Sequence, residues 1–358
     1  GYGLILGANY QQSNVLGSGN SLGVGVSASE YQKSVSFNYF NPYYTLDGVS
    51  RGFNAYVRRL DYDERNIARY ATDSAGLGVN FGFPIGEVQR INFGMLVDWT
   101  EITEGAFAAQ EISNFIDENG EEAINLKANL SWSKSTLNRG IFADRGSSQS
   151  LAFEIAVPGS DLQFFKINYA AERYFPITQN WTLRLRTELG YGDGYGSTTQ
   201  LPFYEHFYAG GFGSVRGFEN STLGPRSTPP LDEAGNPIFI GDRDGDPIGG
   251  NLLVEGSAEL IFPFPFLEDN RQFRPAFFLD AGTVFNTDCP DVVRPFDLTV
   301  GPSDSCFDFD IDALRYSVGF GVSWLTGLGP MTFSIAKAFQ TEDFDEEESF
   351  QFELGRTF

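Results

Sequence analysis

The sequence predicts an all-β protein: a transmembrane antiparallel β-barrel, with fifteen strands in this chain of an expected sixteen. Three observations carry that prediction. Apolar and polar residues alternate with a period of two, aromatic residues gather near the ends of the alternating segments, and the links between segments are by turns compact and long. The alternating segments are of the length, about 9–11 residues, that a tilted strand needs to cross a bilayer.

Taken in order, the candidate strands fall near 2–12, 21–29, 31–40, 49–62, 75–84, 88–103, 122–133, 149–158, 162–174, 180–191, 249–263, 272–285, 311–325, 329–341 and 347–357. The clearest are those in which one face is greasy throughout. Ile91, Phe93, Met95, Val97 and Trp99 oppose Asn92, Gly94, Asp98 and Thr100. Ile124, Leu126, Leu130 and Trp132 oppose Asn125, Lys127, Asn129 and Ser131, and Trp181, Leu183, Leu185, Leu189 and Tyr191 oppose Thr182, Arg184, Arg186, Glu188 and Gly190. Leu314, Tyr316, Val318, Phe320, Val322 and Trp324 oppose Arg315, Ser317, Gly319, Gly321 and Ser323. A large soluble sandwich alternates in the same way, but Trp99, Trp132, Trp181 and Trp324 stand where interfacial girdles would lie. Closure would also remove the sheet edges that lipid does not tolerate.

Single-chain bacterial barrels have even strand numbers, so the odd count places one strand upstream of Gly1. No basic, apolar leader precedes Gly1, and the chain reads as a mature or cropped piece. Residues 1–358 are expected to form one barrel domain. Short links around Pro84-Ile85-Gly86, Pro176-Ile177-Thr178 and Thr326-Gly327-Leu328 would face the periplasm, and 104–121, 192–248 and 286–310 would be long, polar external loops. The 134–148 link is an exception, long yet on the short side.

Composition excludes several functions. With Lys+Arg 24 against Asp+Glu 47 and a formal charge of -23, the chain lacks the basic face that nucleic acid demands. No stretch reaches the roughly 18 apolar residues of a membrane-spanning helix. A single imidazole, His206, must serve any Ser-His or Asp-His chemistry, and its place between Glu205 and Phe207 suits local hydrogen bonding; the chain is read as no enzyme, with no cofactor. The acidic run Asp242-Arg243-Asp244-Gly245-Asp246 has Pro247 where an EF-hand loop requires glycine, so no metal site is expected. Cys289 and Cys306, in a Pro, Asp and Ser-rich stretch without nearby His, suit a loop disulfide in an oxidising compartment.

The longest connection, 192–248, carries Gly210-Gly211-Phe212-Gly213-Ser214-Val215-Arg216-Gly217-Phe218. Flanking glycines allow tight turns and close approach to a wall, which leaves Arg216 as a presented cation. Alternation turns Glu255, Ser257 and Glu259 inward, and in Phe277-Phe278-Leu279-Asp280 it sends Asp280 into the lumen. A guanidinium bonded to carboxylates on these adjacent strands would pin the loop inside the barrel. The alternative is a solvated external loop above two acids that line a wet lumen.

Val215-Arg216-Gly217-Phe218, preceded by Phe203-Tyr204-Glu205-His206-Phe207-Tyr208-Ala209-Gly210-Gly211, resembles the signature loop of the BamA family of outer-membrane protein assembly factors. Asn41-Pro42-Tyr43-Tyr44-Thr45-Leu46-Asp47-Gly48, Leu137-Asn138-Arg139-Gly140, Val157-Pro158-Gly159-Ser160-Asp161, Phe278-Leu279-Asp280-Ala281-Gly282 and the ending Phe350 to Phe358 extend the resemblance over essentially the whole chain. The Arg-Gly-Phe element alone is shared with translocation and secretion relatives.

The resemblance implies a sixteen-stranded barrel in the outer membrane of Gram-negative bacteria, preceded by periplasmic POTRA domains absent from this chain. It implies that the 192–248 loop folds into the lumen and that Arg216 meets Glu259 and Asp280. It further implies a weak lateral seam between first and last strands, where Gly355 matches a glycine associated with kinking the last strand and Phe358 is the terminal aromatic. The expected activity is folding and insertion of client outer-membrane β-barrels, with accessory assembly lipoproteins and the lipid bilayer as further partners. The alternatives are a related protein-translocation or two-partner secretion transporter, or a passive pore. The cysteines depart from the family pattern, because Cys289 and Cys306 lie one loop after the longest.

Overall fold

A computed structural model of the protein describes residues 6–62, 68–232, 234–238, 245–264, 272–288, 309–327 and 329–354. Cys289, Cys306, Gly355 and Phe358, and Asp242 to Asp244 of the acidic run, lie outside the described residues.

Fifteen strands form one antiparallel sheet in strict sequence order. They are β1 (Leu6–Gln12), β2 (Ser21–Ala28), β3 (Gln32–Asn41), β4 (Ser50–Asp61), β5 (Tyr70–Pro84), β6 (Gln89–Glu104), β7 (Glu122–Ser135), β8 (Gly146–Ala156), β9 (Phe164–Pro176), β10 (Thr182–Gly194), β11 (Leu252–Ile261), β12 (Phe273–Phe285), β13 (Arg315–Thr326), β14 (Gly329–Phe339) and β15 (Phe350–Leu354). Every expected strand is present, and several bounds shift for identifiable reasons. β5 begins five residues before position 75, because Tyr70, Ala71 and Thr72 are buried against neighbouring chain. β11 begins at Leu252 and not at 249: Gly249 adopts φ 66° and Gly250 bridges to Phe207 instead of a strand. Residues 311–313 form a 3-10 turn in which the Asp310 side chain accepts from the Asp312 amide, so β13 starts later than position 311.

One helix was not foreseen. α1 (Gln110–Asn119) lies in the 104–121 loop, where Ile112, Phe115 and Ile116 share one face and Gly120, at φ 85°, donates to the Ile116 carbonyl to end it. Its apolar face enters a cluster with Tyr62, Tyr70, Ile102 and Phe203, and Ile112 is fully buried.

Burial is inverted relative to a soluble protein. Val35, Phe53, Val57, Leu77, Val97, Leu130, Leu185, Phe277, Val318 and Ile335 are exposed, whereas Asp98, Asn125, Lys127, Glu255, Glu259, Asp280, Arg315, Ser317 and Thr332 are buried. Only a solvent that is itself apolar makes such a surface stable, since the exterior residues gain nothing from water. The other face must therefore be enclosed. Residues 195–251, which join β10 to β11, show how. This one segment meets inward residues of β5 and β6 through Phe203 and Ile248. It meets Lys127 of β7 and Lys166 of β9 through Glu205. Around Gly217 it reaches Ser317 of β13 and Ala336 of β14, and it meets Gln351 of β15 through the Phe218 carbonyl. It also meets β8 through Tyr195 and Ala156, and β10, β11 and β12 through Ser214 and Arg216, so a segment that touches every strand from β5 to β15 lies inside a sheet curled around it.

The alternation of link lengths holds for the 105–121 and 195–251 loops against the short links after β5, β9 and β13. Not every link follows it. The β2–β3 link is short on the long-loop side, and the β7–β8 link, 136–145, is long on the short side. The latter is long because it turns back under the barrel: Ala143 is buried, and the Phe142 ring sits 5.6 Å from the guanidinium of Arg274 on β12.

Candidate functional site

The site is a plug, built from the β10–β11 segment and held against the inner wall. Its core is a tight turn in which Gly211 donates to the Val215 carbonyl (3.0 Å) and Ser214 to the Gly211 carbonyl (3.1 Å). Gly210 and Gly211, at φ 103° and 96°, make that turn accessible without steric cost. Gly217 has φ 92°, and a Cβ there would stand 3.1 Å from Ala336 Cβ and 3.3 Å from Ser317 Cβ, so glycine lets the backbone lie on the wall.

Between these glycines Arg216 is 3% exposed. Its Nε donates to Asp280 Oδ2 (2.7 Å) and its Nη2 to Asp280 Oδ1 (2.7 Å), a two-pronged grip, while its backbone amide also donates to Asp280 Oδ2 (3.1 Å). Nη2 lies 2.8 Å from Glu259 Oε1 and 3.2 Å from Ser257 Oγ, and the guanidinium stacks 3.5 Å over the ring of Phe278. Register explains the convergence: Ser257 on β11 stands opposite Asp280 on β12, and Glu259 opposite Phe278, all with inward side chains. Val215, Phe218 and Leu223 flank the cation and pack with Leu253, Val284 and Ala338 in an apolar cluster. The structure thus brings together Arg216, Glu259 and Asp280, with Val215, Gly217 and Phe218 on either side of the cation.

Sequence reasoning missed three further attachments. Arg186 on β10 donates to the carbonyls of Gly213 (2.6 Å) and Ser214 (3.0 Å), and the Ser214 hydroxyl donates to Glu255. Arg184 shares Glu259 (2.9 Å) and also holds Glu172 (3.0 Å), so the acid of the Arg216 site is itself braced.

On the facing wall, Glu205 sits between two lysines, 2.7 Å from Lys127 Nζ and 3.0 Å from Lys166 Nζ. Lys127 also meets Asp98 (3.2 Å), which accepts from the Tyr56 hydroxyl. Burial would raise the Glu205 carboxyl, but the two lysines outweigh it and hold its pKa at about 2. The inward position of Lys127 was legible from alternation, but nothing in the sequence linked it to a residue 78 positions away.

His206 follows this acid at the end of a 3-10 turn, where its Nδ1 donates to the Ile248 carbonyl (2.9 Å). Burial lowers its pKa to about 4, so the ring is neutral at pH 7. The bond ties two ends of the plug together: the hydrogen-bonding role is as expected, but its partner is 42 positions away and not local. Among the described residues no cluster of His, Cys, Asp and Glu could hold a metal ion.

The arrangement fixes one long segment against the inner wall of a cylinder whose exterior is greasy. Comparisons with known proteins bear on what such a cylinder does. A model of the Omp85 superfamily domain matches residues 14–358. The outer membrane protein assembly factor BamA of Neisseria meningitidis serogroup B is 34% identical over 373 residues, covering 99% of this chain and 45% of that protein. BamA of Nitratidesulfovibrio vulgaris is 24% identical over 358 residues, covering 97% and 39%. Among solved structures, BamA from Haemophilus ducreyi lacking POTRA domains 1–3 matches with a TM-score of 0.87 at 29% identity, over 98% of this chain and 67% of that one. CdiB from Escherichia coli matches over 97% of this chain and 58% of that one, with a TM-score of 0.55 at 13% identity, a likeness of fold alone. The chain spans less than half the length of these two curated relatives.

Proposed function

We propose, from the premise that this chain belongs to the Omp85 superfamily with an outer-membrane barrel of the BamA type, that it folds client β-barrel proteins and inserts them into the outer membrane through a lateral seam. The observation that carries the reading is the filled lumen. Val215, Arg216 and Phe218 are at 0–3% exposure and the Arg216 side chain is bonded to the wall, which supports a reading in which the loop fills the lumen and the working surface is the wall itself. That favours an insertase over the passive pore.

The wall works by edge chemistry. A backbone donor or acceptor left unpaired in hydrocarbon costs several kcal/mol, so a strand edge opened in the membrane captures an incoming strand by β-augmentation. Among the described residues β15 pairs with β14 over Met331 to Ile335. In this reading Gly355 and Phe358, which lie outside the described residues, belong to the seam by resemblance to the family, and upstream sequence supplies the first strand and POTRA domains. Client barrels, accessory lipoproteins and the bilayer are the partners.

The test is a pair of cysteines joining the first and last strands in the complete protein. Oxidation is expected to stop insertion of a client barrel into vesicles and reduction to restore it. Undiminished insertion with the seam quantitatively locked overturns the reading. Large, steady single-channel conductance by the unaltered barrel would instead support the pore.

A further inference from the structure

The last strand is held from inside by the plug. The Glu219 amide donates to the Glu346 carbonyl (2.8 Å) and the Glu348 amide to the Gly217 carbonyl (3.0 Å), an antiparallel bridge centred on Phe218 and Glu347. Gln351, an inward residue of β15 that is 5% exposed, donates its Nε2 to the Phe218 carbonyl (2.8 Å). The Arg-Gly-Phe turn therefore runs as a short extra strand beside residues 346–348, which lead directly into β15.

Arg226 fastens the same two pieces a few residues on. It is 3% exposed, and its Nη2 donates both to the Thr222 carbonyl of the plug (3.0 Å) and to the Phe344 carbonyl of the β14–β15 link (2.7 Å). Its Nη1 lies 3.3 Å from Glu346, and its guanidinium faces the Phe344 ring. The link also meets the wall through the ion pair of Asp345 with Arg315 on β13 (2.5 Å). Bonds to a guanidinium are about twice as strong as neutral ones. The plug thus gives the approach to β15 a hold of its own beside the ladder to β14.

We propose that the plug positions the last strand, with Arg226 and Gln351 as the positioning residues, so that release of the Arg-Gly-Phe turn and displacement of β15 are one event. Two ends of a single rigid turn make this coupling. Arg216 grips β11 and β12 while the adjoining carbonyls of Gly217 and Phe218 grip 348 and 351. Loss of either grip loosens the other. The significance of the coupling rests on the seam reading above, but the coupling itself is a property of the barrel without a client.

Hydrogen exchange measured by mass spectrometry on the complete protein in nanodiscs tests it. Arg226→Ala and Gln351→Leu are each expected to raise exchange over 346–354 at least about tenfold, with β5 to β7 unchanged. Arg216→Ala, which alters no side-chain contact with 346–354, is expected to raise exchange over the same residues. Native exchange over 346–354 in folded, heat-modifiable Arg226→Ala and Gln351→Leu protein overturns the proposal, as does an Arg216→Ala effect confined to 209–223. Faster exchange of β15 together with unaltered client insertion would leave the coupling standing and count against the insertase reading.

Discussion

Replacing Arg216 with alanine removes three charged hydrogen bonds, to Asp280 twice and to Ser257, and the ion pair with Glu259. Breaking one side of a buried ion pair costs about 3–5 kcal/mol, because the abandoned charge keeps its desolvation cost. Here the lower end applies, about 3 kcal/mol, because neither acid is left alone. Asp280 retains the Ser257 hydroxyl (2.6 Å), and Glu259 retains Arg184 (2.9 Å). The same contacts set how the loss is shared. Asp280 takes both prongs of the guanidinium, whereas Glu259 takes one contact and has a second arginine. Coupling of Arg216 to Asp280 is therefore expected at about 2 kcal/mol and to Glu259 at about 1 kcal/mol.

Urea unfolding of the barrel in phospholipid vesicles, followed by the fluorescence of its four tryptophans, gives these values through double-mutant cycles. With Glu259→Ala and Asp280→Ala combined, Arg216→Ala should add little. Additive losses, with coupling below about 0.5 kcal/mol for both pairs, would refute a shared network, and a larger coupling to Glu259 would refute the assignment of its dominant partner.

The facing wall should behave in parallel. Glu205→Ala is expected to cost about 2 kcal/mol, with stronger coupling to Lys127, 8% exposed at its side chain, than to Lys166 at 23%; equal coupling in the same unfolding assay would contradict this. Acid should act in two windows. Between pH 6.5 and 4 the unfolded chain protonates His206 while the folded chain does not, so stability falls as pH is lowered, and His206→Asn should flatten that part of the curve. Below about 4.5 the stabilisation from Glu205, whose folded carboxyl titrates at about 2, is lost in turn; urea midpoints taken from pH 7.5 to 3 show whether Glu205→Gln removes this second step.

How much of this was written in the sequence depends on how local each feature is. Strands announce themselves through alternation, and alternation also aimed Glu255, Glu259 and Asp280 inward; the choice of Glu259 over Glu255 as a partner of Arg216 came from the resemblance. α1 was legible in principle from the spacing of Ile112, Phe115 and Ile116, but a net acidic loop masked a three-residue apolar face. The early start of β5 was not legible, because Tyr70 extends the strand by stacking on Tyr62 and meeting Phe203 edge-on, partners fixed only once the plug is in place. Glu205 between Lys127 and Lys166, and the bridge from 217–219 to 346–348, join residues far apart in the chain and on strands that do not pair. Period-two reasoning gives which way a side chain points and never what it meets across a lumen.

Yet one signal of the plug was present on the wall. A water-filled barrel wants polar residues at every inward position, but Leu253 and Val284 share the inward faces of Glu255 and Asp280, and Ala336 and Ala338 share that of Ser334. All four are at most 7% exposed. Apolar side chains in an aqueous lumen would forfeit about 25 cal/mol for each Å² left wet, so their presence requires a cover. Val215, Phe218 and Leu223 are that cover over Leu253, Val284 and Ala338. The ionic grip and the greasy footprint then divide the work. The apolar contact supplies non-directional adhesion, whereas the two-pronged bond to Asp280 admits one orientation of the turn and so fixes which carbonyls face residues 346–351. A plug held by apolar contact alone would fill the lumen equally well, but it would leave the turn free to slide and could not set the position of β15.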